Sequence, residues 1–164
     1  MDCTCDRCQK FCRTKPGWFA PAQIAPLAAA LGLTVEGLFR RYLTIDTVLV
    51  GDGDEPSAIY VLAPAMAESG AGELADPTAK GTCVWFKDGR CAIHTVKPTE
   101  CALQDHTTTP QVSNLRRAAI AKQWQPVGAL VQDLYGKPLA PPEALRNEYR
   151  QARARRKAAQ SGAS

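Results

Sequence analysis

Seven cysteines confined to two short segments of a 164-residue chain constrain this protein more than any other feature. The first segment, residues 1–13, reads MDCTCDRCQKFCR, and the second, residues 81–106, reads GTCVWFKDGRCAIHTVKPTECALQDH. The second segment also holds the only two histidines of the chain. Any chemistry that uses all the thiols therefore requires these two segments to meet in the fold.

The crowding of the cysteines favours a metal ion over a disulfide framework. Disulfides suit secreted chains with an even number of cysteines, whereas this number is odd and the first residues do not read as a signal peptide. A disulfide also needs a specific separation of Cα atoms, which closely spaced cysteines rarely offer. A metal ion or iron–sulfur cluster gathers thiolates from several loops, and Cys5-x-x-Cys8 has the spacing that points two sulfurs at one ion. Buried or redox-active thiols are the remaining alternative.

A metal would also help to join the two segments. Closing the loop of about 70 residues between them costs roughly 4 kcal/mol plus a constant. Structural zinc sites contribute on the order of 10–16 kcal/mol, which is enough to offset that closure. We therefore expect the site to be structural as well as chemical.

The residues around the cysteines follow an ordered pattern. Cys5, Cys8 and Cys12 match the first, second and last cysteines of C-x-x-C-x-x-C-C, and Phe11 stands in place of the third. The second segment continues the pattern with CVWF from Cys83, DGRCAIH around Cys91, and KPTEC ending at Cys101, where lysine replaces the usual arginine. This arrangement resembles the CxxCxxCC family of zinc- or iron-chelating domains, the YkgJ-type cysteine-cluster proteins.

The resemblance implies metal or iron–sulfur binding, and the ligands that we expect are Cys5, Cys8, Cys12, Cys83, Cys91 and Cys101. Because one cysteine of the pattern is missing, Cys3, His94 and His106 are further candidates for a replacement ligand. Thiolates select zinc, copper(I) or iron–sulfur species over magnesium and calcium. The spacing leaves zinc, iron and an iron–sulfur cluster open, as well as the number of metals.

Each histidine has two interpretations. His94 is either a ligand or a packed histidine that bonds to the backbone, and the packed form is preferred. His106, next to Asp105, is either a ligand or a general base, and this choice stays open. Catalytic residues are not assigned, although His106, Asp105 and Glu100 are the acid–base groups nearest the cysteines in the sequence.

Outside the cysteine segments, the sequence predicts a mostly helical α+β fold with small β-hairpins. Apolar periodicity and capping residues predict helices over residues 23–31, 35–43, 111–125, 127–135 and 143 to about 158. The predicted apolar face of the helix over residues 111–125 is Val112, Leu115, Ala119, Ile120 and Trp124. β-Branched runs predict one hairpin from residues 44–50 and 57–63 and a second from residues 83–86 and 91–94. A cysteine-rich metal-binding knot should join the N-terminal segment to residues 81–106.

We expect a single cysteine-cluster domain over residues 1–140 and a basic helical tail, frayed at its end, over residues 141–164. The tail holds six basic and two acidic residues, and it accounts for the formal net charge of +4. A solvated helix is a better interpretation of this charge than a nucleic-acid site, because no aromatic platform accompanies it.

The expected location is the cytoplasm, with no membrane partner. Targeting patterns are missing from the sequence, seven cysteines suit a reducing compartment, and no apolar run reaches the length of a bilayer. Three functions remain, in this order: a protein that stores, delivers or senses metal; an iron–sulfur oxidoreductase or a protein-modifying enzyme; and a zinc module that binds nucleic acid. The second takes its support from the resemblance, because a flagellin lysine-methylating enzyme carries a similar domain.

Overall fold

The computed structural model describes residues 5–51, 53, 55–67, 70–76, 81–105 and 107–161. Two candidate ligands, Cys3 and His106, lie outside these residues. Within the described residues the chain is α+β, with seven α-helices and two separate two-stranded antiparallel sheets. The predicted fold class is confirmed at this level.

The elements follow one another in the predicted order, with two further helices, over residues 6–14 and 99–103, that the sequence analysis did not predict. The helices are α1 (Asp6–Thr14), α2 (Ile24–Ala30), α3 (Val35–Tyr42), α4 (Thr99–Leu103), α5 (Pro110–Trp124), α6 (Gly128–Tyr135) and α7 (Glu143–Ser161). The strands are β1 (Leu43–Val50), β2 (Ser57–Pro64), β3 (Phe86–Lys87) and β4 (Arg90–Cys91). Single turns of 3-10 helix at Pro21–Gln23, His94–Val96 and Gln125–Val127 connect them.

Side-chain caps explain where two of the helices begin. The hydroxyl of Thr34 accepts a hydrogen bond of 3.0 Å from the N–H of Gly37, which satisfies a backbone donor at the start of α3. Thr109 does the same for the N–H of Val112 at 3.4 Å, at the start of α5. Gly136 ends α6 with φ of 70°, a left-handed conformation that glycine adopts without strain.

The hairpin β1–β2 carries the main apolar face. Its register runs from Leu43 opposite Pro64 to Val50 opposite Ser57. Helices α5 and α6 pack on β2, and α3 packs on β1. The buried core between them contains Phe19, Ile24, Leu27, Leu38, Phe39, Leu43, Ile45, Val61, Leu62, Ile120, Trp124 and Val131.

Aromatic residues tie both cysteine segments to this core. The indole N–H of Trp124 donates to the carbonyl of Phe19 at 2.8 Å, shortly after the first segment. In the second segment, the Trp85 ring stacks on Tyr42 at 5.5 Å and meets the Phe19 ring edge-on at 5.9 Å. A large buried ring therefore anchors the second segment, and another anchors the chain a few residues after the first.

The predicted apolar face of α5 is only partly correct. Ile120 and Trp124 are buried, and Ala121 joins them, but Leu115 is 72% exposed and Val112 is 39% exposed. The C-terminal half of α5 lies over β2, whereas its N-terminal half neighbours the short helix α4 and leaves these two side chains uncovered.

The second hairpin is shorter than predicted. Asp88 and Gly89 have φ of 49° and 75°, the positive values of a type I′ turn, and only Phe86–Lys87 and Arg90–Cys91 form strands. The predicted strands over residues 83–86 and 91–94 are therefore too long. Their remaining backbone groups bond elsewhere, because the N–H of Cys83 donates to Arg13 and His94 begins a 3-10 turn.

Helix α7 lies against β1, and Leu145 and Tyr149 are its half-buried anchors. The Tyr149 hydroxyl donates to the carbonyl of Gly51. The helix continues to Ser161, somewhat beyond the predicted end. The division into residues 1–140 and 141–164 stays a prediction.

In the described part of the chain, no individual helix combines the length and apolar content needed to cross a membrane. Two neighbouring helical segments, Pro21–Ala30 and Val35–Tyr42, meet the length and apolarity criteria only as a pair. Their axes differ by 92°.

Candidate metal centre

Five cysteines from the two segments line one cavity of about 400 Å³. They are Cys8, Cys12, Cys83, Cys91 and Cys101. His94 also lines it, whereas Cys5 is exposed beside the first turn of α1 and is outside this lining. Of the nine predicted ligands, the structure thus brings six to one cavity, and Cys5 is the one described residue of the nine that does not line it.

Helix α1 supplies the wall formed by the first segment. Cys8 and Cys12, four residues apart, lie on one face of α1, and Cys5 is the extended residue directly before its first turn. The amide of Gln9 lies 3.9 Å from the position that a Cβ would take at Gly89. The C-terminal end of α1 is bonded to the second segment by the N–H of Cys83, which donates to the Arg13 carbonyl at 2.7 Å.

Gly17 allows the two segments to approach closely at Cys101. Its N–H donates to the Cys101 sulfur at 3.1 Å. A Cβ at Gly17 would lie 2.9 Å from the Cys101 nitrogen and 2.7 Å from the Glu100 Cβ, which is closer than real side chains approach. The sequence alone does not reveal this reason for a glycine at position 17.

Backbone N–H groups point at two further sulfurs. The N–H groups of Trp85 and Phe86 lie near the sulfur of Cys83, although that of Phe86 donates to the Cys83 carbonyl at 2.9 Å, and the N–H of Ile93 lies near the sulfur of Cys91. In each case they lower the pKa of the thiol, since a donor stabilises the charge of a thiolate. Backbone N–H groups therefore lie beside Cys83, Cys91 and Cys101, which are three of the five cavity cysteines. Such donors suit a thiolate.

Burial nevertheless dominates the ionisation of these thiols. It raises the pKa of Cys101 to about 12 and that of Cys83 to about 11. The pKa values of Cys12 and Cys91 are also raised, chiefly by burial, and the charge of Lys97 lowers both. An ionised Cys12 raises the pKa of Cys83, Cys91 and Cys101, so these sulfurs lie within electrostatic reach of one another.

His94 and Lys97 form a polar pair on the cavity wall. The Lys97 ammonium lies 3.1 Å from His94 Nε2. His94 is exposed, so its predicted role as a packed core histidine is wrong. The 3-10 turn carries its ring toward solvent and Lys97 instead of into the apolar core. The position of Lys97 near two sulfurs was not predicted, although its place directly before Pro98 in the motif was the available signal.

Glu100 fixes the chain behind Cys101. Only 7% of Glu100 is exposed, and its Oε2 accepts from the N–H of Trp18 at 2.9 Å. Arg117 Nε lies 3.4 Å from Oε1, within ion-pair distance but without the alignment of a hydrogen bond. The same guanidinium covers the Trp18 ring at 3.9 Å, and the indole N–H donates to Asp46 at 2.7 Å. Both oxygens of Glu100 therefore face structural partners.

Asp105 is also occupied by local contacts. Its Oδ1 accepts from the N–H of Thr107 at 2.7 Å and from the hydroxyl of Thr108 at 3.2 Å. These bonds, chiefly those from Thr107, hold the pKa of the carboxyl down at about 2. A carboxylate with such a low pKa is a weak proton acceptor at neutral pH.

The thiols share a cavity without converging on one point. Among the described residues, no three side chains of His, Cys, Asp or Glu are arranged so that they could hold a metal ion. The donor set has the chemistry that zinc, copper(I) or iron–sulfur species prefer. The thiols are therefore ligands of the type that a soft metal prefers. Their sulfurs would have to come closer together, by closure of the cavity, before they could bind one.

A scan against protein-family models, a search of curated proteins and a search of solved structures each found no match to this chain. The resemblance to the CxxCxxCC family stays an expectation that rests on the quoted residues alone.

Proposed function

We propose that this chain is a metal-binding cysteine-cluster protein that holds zinc or iron, the latter as an ion or an iron–sulfur cluster, through thiolates of both segments. The observation that carries the proposal is the cavity lined by Cys8, Cys12, Cys83, Cys91 and Cys101. These five thiols come from two distant segments of the chain and line one cavity. Apolar packing alone does not explain them, because a cysteine in the core behaves as a small apolar side chain and packing does not require several thiols together.

The polar groups around the sulfurs support a thiolate site. Backbone donors reach Cys83, Cys91 and Cys101, and the ammonium of Lys97 favours the ionised forms of Cys12 and Cys91. In the absence of a metal ion, burial opposes ionisation of Cys83 and Cys101. A bound cation would reverse that balance, since metal ligation replaces the thiol protons.

Closure of the cavity is a modest rearrangement. Helix α1 has no buried residue, and its contacts run mainly to β4. Elements with so few buried contacts move at low cost in free energy. A shift of α1 toward the hairpin, with new rotamers for Cys8 and Cys12, would complete the cysteine-rich knot that the sequence predicts.

The other two functions receive less support. Glu100 and Asp105, two of the candidate acid–base groups, are engaged in structural contacts, and His106 lies outside the described residues. On α7, Arg150 pairs with Glu143 at 3.2 Å, and Tyr149 bonds to Gly51, so neither is set aside for nucleic acid. Storage, delivery or sensing of metal is the function that we favour, with the cytoplasm as its location.

The test is anaerobic purification followed by elemental analysis, a sulfide assay and a visible spectrum of one sample. Zinc in a fixed ratio would identify a zinc protein. Iron with acid-labile sulfide would identify a cluster, and iron without sulfide a non-haem iron centre. A reduced protein that contains none of these metals and takes up neither Zn²⁺ nor Fe²⁺ would contradict the proposal.

Serine variants then assign the ligands. Cys83→Ser and Cys101→Ser should each lower the bound metal and the stability together. Ala102→Ser is the matched control, because Ala102 lines the same cavity and gains the same hydroxyl without loss of a thiol. If the two cysteine variants keep as much metal as this control, Cys83 and Cys101 are not ligands.

A further inference from the structure

The short helix that carries Cys101 is held by α5, a helix that contains no cysteine. Three polar contacts join α4 and the residue after it to α5: Glu100 with Arg117, the Leu103 carbonyl with Arg116, and Gln104 with Ser113. Helix α1, in contrast, has no buried residue. Cys101 is therefore held in position more firmly than the cysteines of α1, which would move toward it when the cavity closes.

The backbone around Cys101 pairs with the residues that follow the first segment. The N–H of Glu100 donates to the Trp18 carbonyl at 3.2 Å, and the N–H of Trp18 donates to Glu100 Oε2 at 2.9 Å. One residue earlier, the N–H of Gly17 donates to the Cys101 sulfur at 3.1 Å. Because these bonds are neighbours in both strands of the chain, a displacement of Glu100 also displaces the donor that reaches Cys101.

Arg117 contacts both sides of this pairing. Its guanidinium covers the Trp18 ring at 3.9 Å. The same group lies between two carboxylates, with Nε 3.4 Å from Glu100 Oε1 and Nη2 3.8 Å from Asp46 Oδ2. A planar guanidinium can stack on an indole and face a carboxylate at the same time, so one side chain of α5 fixes Trp18 and Glu100 together.

The charge of Glu100 makes Arg117 relevant to metal binding. A metal requires Cys101 as a thiolate, and a neighbouring carboxylate opposes that charge. Burial is the main cause that raises the pKa of Cys101 to about 12, and the charge of Glu100 adds to the rise. Arg117 offsets this carboxylate at ion-pair distance, so the pairing keeps its geometry without an uncompensated negative charge beside the sulfur.

We propose that Arg117 is a positioning residue of the metal centre, which acts through Glu100 and Trp18 to hold Cys101 in place and to favour its ligation of metal. This inference rests on the proposed metal-binding function. It extends the centre to α5, a helix outside both cysteine segments. Residues that orient metal ligands in this way change metal affinity by about 10–100-fold when they are removed.

The test measures Zn²⁺ affinity of the reduced full-length protein by competition with a chelator, and the spectrum of its Co²⁺ form. Arg117→Met keeps a long side chain over Trp18 and removes the charge. It should lower Zn²⁺ affinity by about tenfold or more and weaken the cobalt–thiolate absorption, as Cys101→Ser does. Lys122→Met, at an exposed position of the same helix, is the matched control and should change neither.

Two further backgrounds show whether Arg117 acts through Cys101. In Cys101→Ser protein, adding Arg117→Met should change Zn²⁺ affinity by less than about twofold, because changes within one chain of contacts are not additive. In Glu100→Gln protein, which keeps an oxygen for the N–H of Trp18, adding Arg117→Met should also have little effect, since no charge remains to be offset. This background keeps the test valid if Arg117→Met alone fails to fold, because position 100 then carries no unpaired charge.

The outcomes separate the two proposals. Wild-type protein that takes up no metal from any source would overturn the proposed function, and this inference with it. Normal metal binding by wild-type protein, together with wild-type affinity and spectrum in Arg117→Met, would overturn the role of Arg117 alone. An equal loss of affinity in the Cys101→Ser background, or in Lys122→Met, would also overturn it, because Arg117 would then act on the whole fold or through the general charge of the protein.

Discussion

Two regions of this molecule are held together in different ways. The core around β1, β2, α5 and α6 buries large apolar side chains, and Phe19 and Trp124 are completely buried in it. The region around α1 and the hairpin β3–β4 has strands of two residues each and a helix without a buried residue. Apolar burial accounts for the first region, whereas the second has Trp85 and Ile93 as its buried apolar anchors and otherwise depends on a few backbone hydrogen bonds and on its thiols. We therefore expect metal to govern the stability of the second region and to matter little for the first.

The largest effect should come from the apolar core. Trp124→Ala removes a fully buried ring and leaves the Phe19 carbonyl without its donor, so we expect the free energy of unfolding to fall by about 3–5 kcal/mol. Urea unfolding of the metal-free protein measures it. Leu115→Ala, on the same helix but 72% exposed, should change stability by less than about 0.5 kcal/mol. Similar losses for the two variants would mean that the core is not the stabilising region.

The next effect concerns pH and belongs to the thiol region. Burial raises the pKa of Cys83 to about 11 and of Cys101 to about 12, whereas an unfolded thiol ionises near about 8.5. The folded metal-free protein then binds more protons than the unfolded chain above about pH 8.5, so its stability should fall from there up to pH 11–12. Below about pH 8.5 these two thiols should contribute no slope.

Thiolate absorbance during an alkaline titration measures this directly. In the metal-free folded protein, the two last thiols to ionise should be Cys83 and Cys101, and Cys83→Ala and Cys101→Ala should each remove one of these late steps. With metal bound, the protons should already be released at neutral pH, and the late steps should disappear. Ionisation of every thiol near about pH 8.5 in the folded protein would show that Cys83 and Cys101 are accessible to water.

Some features of these two regions could be predicted from the sequence, and others could not. Thr34 as a helix cap and the β1–β2 hairpin were predictable, because caps, β-branched runs and helical periodicity are local signals. The exposure of Leu115 was not, since periodicity shows that a helix has an apolar face but not how far a neighbouring element covers it.

At the candidate site, the sequence predicted that cysteines of the two segments come together, but not how their side chains are placed. The cavity brings together five of the predicted cysteines. Three contacts at the site were not predicted: Gly17 close to Cys101, Lys97 beside the sulfurs, and the ion pair between Glu100 and Arg117. Each of them joins residues far apart in the chain or depends on a turn. No local pattern encodes such contacts. The hairpin β3–β4 was predicted, but its strands were predicted too long because the outer residue Cys83 bonds to the distant Arg13.

The smallest of these effects should appear at Gly17, where the two regions meet. Gly17→Ala places a Cβ 2.9 Å from the Cys101 nitrogen and 3.1 Å from its sulfur, so the two segments must move apart. Overpacking of this kind costs about 1–3 kcal/mol. Urea unfolding gives the cost, and competition with a chelator gives the change in metal affinity, which should fall at least tenfold.

Gly128→Ala is the control, because a Cβ there meets nothing within 4 Å and alanine favours the helix that Gly128 begins. It should leave metal affinity unchanged and stability equal or slightly higher. Hydrogen exchange then locates the damage of Gly17→Ala. Faster exchange confined to α1, β3 and β4 would support two regions with separate stability, since Trp18 and Phe19 would remain anchored in the core. Uniformly faster exchange that includes β1 and β2 would mean that the cysteine segments and the apolar core unfold as one unit, and the distinction between the two regions would fail.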